Sequence, residues 1–448
     1  MKRCFLVLVL GLWAGLGLVS CGASKRTGPP SGLVDRVLVS QGVTATSTSG
    51  RLVIVDGFND TLTAVSPLNA GASPGLMAVS PSRNIAMAFD PVTNIVYSVN
   101  TAKETSLGNT GVQLPGPTFS MTVPTSSTVG YAAVPTASVP GFNFLGAVEV
   151  MDLTGSSITT TIAVTNAETV VANGNGSQLL VFSNDSDSVT VLTPGDALPG
   201  IDLSCSAPTN PAVCTVLTGF NRPVYAVING TTAYVLNCGF ECGGSQQASV
   251  QTLDLNSLAV GKPVLVNGAT YAFLSGTKLY VAGRGTPTGP QCSLLTSSVN
   301  AKTAATFCGT LDIVDLTTMT DPYYKNLGAE IAIPDGYHDR MDMSINGQLF
   351  VGSYGCTDIG DVNNPNGEVR GCLAILNTNT GAVIIPPDNG DVDGLQSFTS
   401  REIEYVAESG ALRVYDTTKD ILLINDFLPL GTIDVIGYVG DVKAIDFF

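Results

Sequence analysis

Histidine occurs once in this 448-residue chain, as His338, and tryptophan once, as Trp13. A lone imidazole removes most of the catalytic repertoire that pairs a nucleophile with a histidine base, and leaves few nitrogen ligands for zinc. Charge is scarce too. Only 12% of residues are Asp, Glu, Lys or Arg, and 20 basic residues face 36 acidic ones, for a net charge of −16. That field repels phosphate backbones and anionic lipid, which excludes nucleic acid as a partner. Beyond the N-terminus no stretch approaches eighteen consecutive apolar residues, so no spanning helix is expected there.

At the N-terminus, Lys2 and Arg3 precede the apolar stretch Phe5 to Val19, and Leu18-Val19-Ser20-Cys21 follows. A positive start, a short apolar run and small residues before a cut describe a secretory signal over residues 1–20. The tetrapeptide LVSC resembles the bacterial lipobox, which implies that Cys21 is lipidated and becomes the first mature residue. Gly22 in place of Asp after that cysteine implies passage to the outer membrane. Residues 21–33 are small, polar and rich in Pro and Gly, a composition suited to a flexible tether. The protein is therefore expected to be exported and held to the membrane through its lipid alone, on the periplasmic or the surface side.

The remainder, 34–448, repeats one phrase: an apolar run, a turn, and a second apolar run often closing on Asp or Asn. KLYVAGR with GTLDIVDL (from Lys278 and Gly309) and QLLVFSN with SVTVLTP (from Gln178 and Ser188) are plain copies. Each run is β-branched or aromatic and partly alternating, as strands are. A sheet this small cannot bury its own faces, so self-similarity at about 40 to 50 residues predicts an all-β, single-domain β-propeller. Eight copies predict eight blades, with seven as the alternative if the last repeat merges with the closing strand. The first unit, from Arg36, lacks an inner strand, while Val442 to Phe448 is a strand without a unit. Pairing of the two chain ends is expected to close the ring and leave few open edges.

The phrases PGLMAVSPSRNIAMAFDPVTNIVYSVN (Pro74 to Asn100) and INGQLFVGSY (Ile345 to Tyr354) resemble the YVTN family of β-propeller repeats, although Ser80-Pro81-Ser82-Arg83 replaces its usual turn and no copy reads YVTN. The family includes surface-layer and lactonase-like proteins, so the resemblance implies shape more than activity. The absence of tryptophan after Trp13 argues against WD40 repeats and Trp-docked quinoprotein propellers.

With Cys4 and Cys21 set aside, eight cysteines fall into neighbouring pairs: Cys205 with Cys214, Cys238 with Cys242, Cys292 with Cys308, and Cys356 with Cys372. In an exported chain they read as local disulfides; a zinc site built on Cys238 and Cys242 is the less favoured reading. Three of the pairs lie between the second and third strands of consecutive units, so three stapled insertions should share one face. His338 sits at the entry to an inner strand, beside Tyr337, Asp339 and Arg340. Arg222 precedes another inner strand, and Arg284 ends a second strand. An axial mouth with these arginines could receive an anionic group. His338, Arg340 and Arg222 are the catalytic candidates, and Tyr337, Asp339 and Arg284 the binding candidates. Asp358, Asp361, Asp391 and Asp393, in two acidic loops, are candidate Ca2+ ligands without EF-hand spacing. GASPG (Gly71 to Gly75) lacks the helix a nucleophile elbow needs, and GRGTPTG (Gly283 to Gly289) lacks dinucleotide spacing, so neither carries chemistry.

The leading expectation is a tethered binding or scaffold protein whose stapled face engages an envelope protein or glycan. The alternatives are a lactonase-like hydrolase with an axial site, and an adhesin or surface-layer-like component.

Overall fold

The structure, a computed structural model, describes residues 29–43, 50–124, 128–196, 203–205, 214–284, 308–324, 330–356, 359–360, 369–370, 372–386, 390–424, 428–435 and 437–446. The N-terminal segment read as a signal and lipid attachment site lies outside them.

Eight small sheets stand in a ring, and the helical content of the described residues is two short 3-10 turns. The inner strands are Val439–Ala444, Met77–Val79, Ser120–Thr122, Ala167–Ala172, Pro223–Asn229, Tyr271–Ser275, Tyr337–Met343 and Val392–Ser397; they define blades one to eight in that order. Each lies beside the next, and that of blade eight lies beside that of blade one.

Why these residues form blades is visible in the burial of the second strands. Arg36–Gln41, Ile85–Asp90 and Ile403–Glu408 are buried along their whole length. A neighbouring blade covers each of their faces, so they read as continuous apolar runs with only occasional polar residues. Third strands such as Arg51–Asp56, Ile95–Asn100 and Ala411–Asp416 are covered less completely and show partial alternation. The core is correspondingly divided among blade interfaces: Met87 and Val96 pack with Val134 and Met151 between blades two and three, and Tyr280 and Leu311 with Met341 and Leu349 between blades six and seven.

The Asp or Asn that closes a third strand caps the turn that follows. The Asp56 carboxylate accepts the backbone N–H groups of Phe58 and Asn59, Asp152 those of Thr154 and Gly155, and Asp254 those of Asn256 and Ser257. Asn377 and Asp416 repeat the arrangement. Such side chains satisfy backbone donors that a tight turn leaves unpaired, which is the physical reason for the recurring residue.

Blade one is closed by the two chain ends. Arg36–Gln41 pairs antiparallel with Val439–Ala444, with Val39 opposite Val442. The closing strand thus starts three residues before Val442, the sequence-based start, and ends at Ala444. Every other blade joins its first and second strands by a covalent turn. Here Arg36 does so without one: its guanidinium makes paired hydrogen bonds of 2.9 and 2.7 Å to Asp446, and its remaining nitrogen bonds Glu104 and the Thr101 carbonyl of blade two. Arg36 and Glu104 are both almost fully buried. Equivalent links recur on this lower rim, where Arg401 of blade eight grips Asp60 of blade one and the Gln348 amide of blade seven donates to Asp420 of blade eight.

Candidate functional site

The opposite, upper face carries the turns between second and third strands and the connections from one blade to the next. Disulfides join Cys238 to Cys242 and Cys356 to Cys372 in such turns of blades five and seven; a third, Cys205 to Cys214, lies in the connection between the third and outer strands of blade four, where Cys214 pairs with Leu192 at the end of the third strand away from this face. Cys308, at the corresponding turn of blade six, is also disulfide-bonded; Cys292 lies outside the described residues. These bridges indicate an oxidising, extracytoplasmic setting. No helix among the described residues is long and apolar enough to cross a membrane.

At the axis on this face lies an open cavity of about 240 Å³ that spans from blade four to blade seven. Glu168 and Thr169 enter it from the inner strand of blade four, and Ser183, Asn184, Asp185 and Ser186 from that blade's upper turn. Arg222 and Cys242 come from blade five, and Tyr337 and Tyr354 from blade seven. Tyr337 begins the inner strand and Tyr354 ends the second strand directly opposite, a pairing that brings their ring centroids to 5.2 Å. Burial raises the pKa of both phenols, and the neighbouring carboxylates add to it, so both stay protonated donors. Burial also raises the Glu168 pKa. Among the described residues no hydrogen bond or ion pair meets the Glu168 carboxylate.

Arg222 has acidic neighbours: its guanidinium lies 3.7 Å from Asp185 and 4.0 Å from Asp187, while its Nε is buried without a hydrogen-bond partner. Beside the cavity, Glu241 accepts the Arg284 backbone N–H at 3.0 Å, and the Arg284 side chain donates to the Asp335 carbonyl. The other Glu241 oxygen is buried without a partner. Desolvation pushes the Glu241 pKa up to about 7 despite the backbone bond and the nearby Arg284 charge.

His338 does not face the opening, and the expectation of an axial imidazole is corrected on that point. Its side chain is 1% exposed, and Nε2–H donates to the Pro334 carbonyl at 2.9 Å. Its carbonyl accepts the Thr270 hydroxyl of blade six, so the residue fastens two blades together. Burial drives its pKa down to about 4, keeping the ring neutral. Arg340 lies further down the inner strand, where it bonds the Asp339 carboxylate at 2.8 Å and the Asp393 carbonyl at 2.9 Å. Burial acts to lower its pKa, but Asp339, Asp441 and Asp393 outweigh that and raise it. Arg284, His338 and Arg340 each bond a separate partner and Arg222 faces Asp185 and Asp187; the Arg284 charge reaches His338, but no hydrogen bond joins any two of the four.

Of the Ca2+ candidates, Asp358 and Asp361 lie outside the described residues. Asp391 accepts the Gly355 N–H and Asp393 the Tyr438 hydroxyl. Burial lifts the Asp393 pKa to about 6, against the Tyr438 bond and the Arg340 charge. Among the described residues no three His, Cys, Asp or Glu side chains converge as metal ligands.

Glu168, Asn184 and Tyr354 were not singled out by the sequence. Glu168 does leave a trace, as the one charge in the strand Ala167–Ala172.

Ring, blade order and end-to-end closure define an eight-bladed β-propeller. No family model and no curated protein matches the chain. Solved structures do. Dihydro-heme d1 dehydrogenase NirN, in complex with DHE, is 12% identical with a TM-score of 0.56, over 95% of this chain and 78% of that one. The computationally designed Ika8 protein is 9% identical with a TM-score of 0.51, over 87% of this chain and 98% of that one. A putative 6-phosphogluconolactonase from Bacteroides fragilis is 12% identical with a TM-score of 0.48, over 93% and 99% of the two chains. At such identities the likeness is one of fold alone.

Proposed function

We propose that this protein is a lipid-tethered, extracytoplasmic propeller that binds a component of the cell envelope at its disulfide-stapled face. The observation that carries the reading is the open axial cavity, which presents the Glu168 carboxylate and a tyrosine pair where a ligand can reach them. Disulfides in the surrounding turns hold such a surface in shape before a ligand arrives, which lowers the ordering cost of binding. A hydrolase reading draws less support, because the only imidazole is sealed and both candidate arginines are neutralised by neighbouring aspartates.

Two experiments test it. Cys21→Ala should shift the protein from the membrane to the soluble fraction of its host. The tethered protein should retain an envelope component that Tyr354→Ala, altered at a 46% exposed ring, does not. Lactone or ester turnover that Tyr354→Ala abolishes would overturn the proposal.

A further inference from the structure

We infer that the binding face carries a saccharide groove, running from the axial mouth outward across blade four, and that its ligand class is an uncharged oligosaccharide. This deepens the binding reading above and rests on it.

The groove is built from two adjoining cavities. The axial one, about 240 Å³, shares Ser183, Asn184, Asp185 and Ser186 with a second of about 280 Å³ between blades three and four. Together they reach the size of ordinary small-molecule sites, roughly 300–1,000 Å³, but in an elongated form. The shared turn is fixed, since the Asn184 N–H donates to the Asn166 carbonyl of the preceding connection at 2.9 Å. Its shape therefore does not depend on a ligand.

The chemistry changes along its length. At the axial end the Tyr337 and Tyr354 rings offer an apolar surface with hydroxyls at the edge, beside the free Glu168 carboxylate. The C–H face of a pyranose packs on such a ring, and its hydroxyls supply the donors that the carboxylate lacks. The outer end is lined by the hydroxyls and amide of Thr165, Asn166, Ser188 and Thr190, together with Val164, Cys205 and Val216. The hydroxyls and the amide both donate and accept, as hydroxyl-rich ligands require.

Charge narrows the class further. Among the described residues Arg222 is the one cation lining either cavity, and Asp185 and Asp187 face it at 3.7 and 4.0 Å. With Glu168 and a net charge of −16 nearby, an acidic ligand is repelled. An extended peptide that adds a strand needs a free strand edge along the groove, whereas the stretch the two cavities share, Ser183 to Ser186, is a turn, and the axial end is formed by the starts of inner strands at Glu168 and Tyr337. The uncharged sugar chain is the class that remains.

The full-length protein in detergent should be titrated with neutral oligosaccharides of increasing length, with acidic oligosaccharides, and with peptides. Affinity for the neutral series should rise with length. Tyr354→Ala should weaken it about tenfold, the scale of one lost aromatic contact, and Tyr354→Phe should restore most of it. Asn184→Ala should abolish the gain from length while sparing the monosaccharide. Unchanged thermal midpoints would show that the variants are folded. Failure of every sugar to bind, preference for the acidic series, or indifference to both substitutions overturns the inference. Peptide binding that Tyr354→Ala abolishes would overturn it too, while leaving the binding reading intact.

Discussion

The lower rim and the upper face of the ring differ in which of their polar groups a ligand could reach. Below, Arg36, Asp446, Glu104, Arg401 and Asp60 form closed sets in which each charge meets a complementary one, and Tyr405 adds its hydroxyl to Asp60 at 2.5 Å. Above, Glu168 has no partner among the described residues and one oxygen of Glu241 is orphaned in a buried position. Buried polar groups cost free energy unless paired. Orphaned buried oxygens occur below as well, at Glu404, Gln348 and Asp420; Glu168 differs from them in lining an open cavity, where a ligand can reach it. The means of fastening differ in part: ion pairs and hydrogen bonds serve the lower rim, and disulfides are added in the upper turns of blades five and seven.

The largest expected effect tests the lower half of that contrast. Arg36→Ala leaves the almost fully buried Glu104 with only the Ser31 N–H and hydroxyl and Asp446 with only the residue-36 backbone N–H, and it removes the charged link that stands in for a covalent turn in blade one. Breaking a buried pair on one side typically costs about 3–5 kcal/mol, and the loss should appear as a lower urea midpoint. A loss no greater than that of an exposed pair such as Lys419 with Asp416 would remove the distinction between the two faces.

His338 sharpens the contrast by belonging to the stapled half in sequence and to the structural half in behaviour. Its pKa falls from 6.5 to about 4 on burial, so the folded state resists protonation where the unfolded chain accepts it. Its contribution is complete above pH 6.5 and is lost as the pH falls toward 4, a change of about 3 kcal/mol at 1.36 kcal/mol per unit. His338→Gln keeps a donor for the Pro334 carbonyl but cannot titrate, and should flatten that limb of the stability profile. An unaltered acid limb would mean that His338 is not the group responsible.

The staples come next. In the loop-entropy view the 16-residue separation of Cys356 and Cys372 is worth about 3 kcal/mol and the 4-residue separation of Cys238 and Cys242 about 2. Paired Cys→Ser substitutions at each bridge should lower the denaturation midpoint in that order. Both should weaken ligand retention more than Arg36→Ala does at temperatures where the fold persists. The reverse order of binding losses would show that the stapled turns merely resist denaturation.

The blades were legible because each strand carries its own signal. The second strands Gln348–Tyr354 and Arg36–Gln41 coincide with the sequence reading, and ring closure followed from a unit lacking an inner strand. The Asp and Asn residues that close third strands were noticed as a pattern, although their work as turn caps needs coordinates to be seen. The site was poorly legible for a physical reason. Glu168, Asn184 and Tyr354 come from blades four and seven, and only curvature through the intervening blades brings them to one cavity. The single histidine drew attention by rarity, but its burial depends on Gly309, where a side chain would collide with the imidazole, and no local pattern reveals that.

The smallest effect concerns the orphaned oxygen of Glu241. Its pKa is raised from 4.5 to about 7, so between those values the folded protein keeps a proton that the unfolded chain has released. The stabilisation is therefore full below pH 4.5 and is lost as the pH rises through 7, opposite in sign to the His338 limb. Partial solvent access and the Arg284 charge limit its size to about 1–2 kcal/mol. Glu241→Gln should remove this alkaline-side decline while preserving an acceptor for the Arg284 N–H. Asp393, raised to about 6 by burial, acts in the same direction, so Asp393→Asn is the necessary companion. If the decline survives Glu241→Gln and disappears with Asp393→Asn, the strain resides in the axis beneath the cavity and not at the stapled turn, and the upper face would have to be divided into two regions.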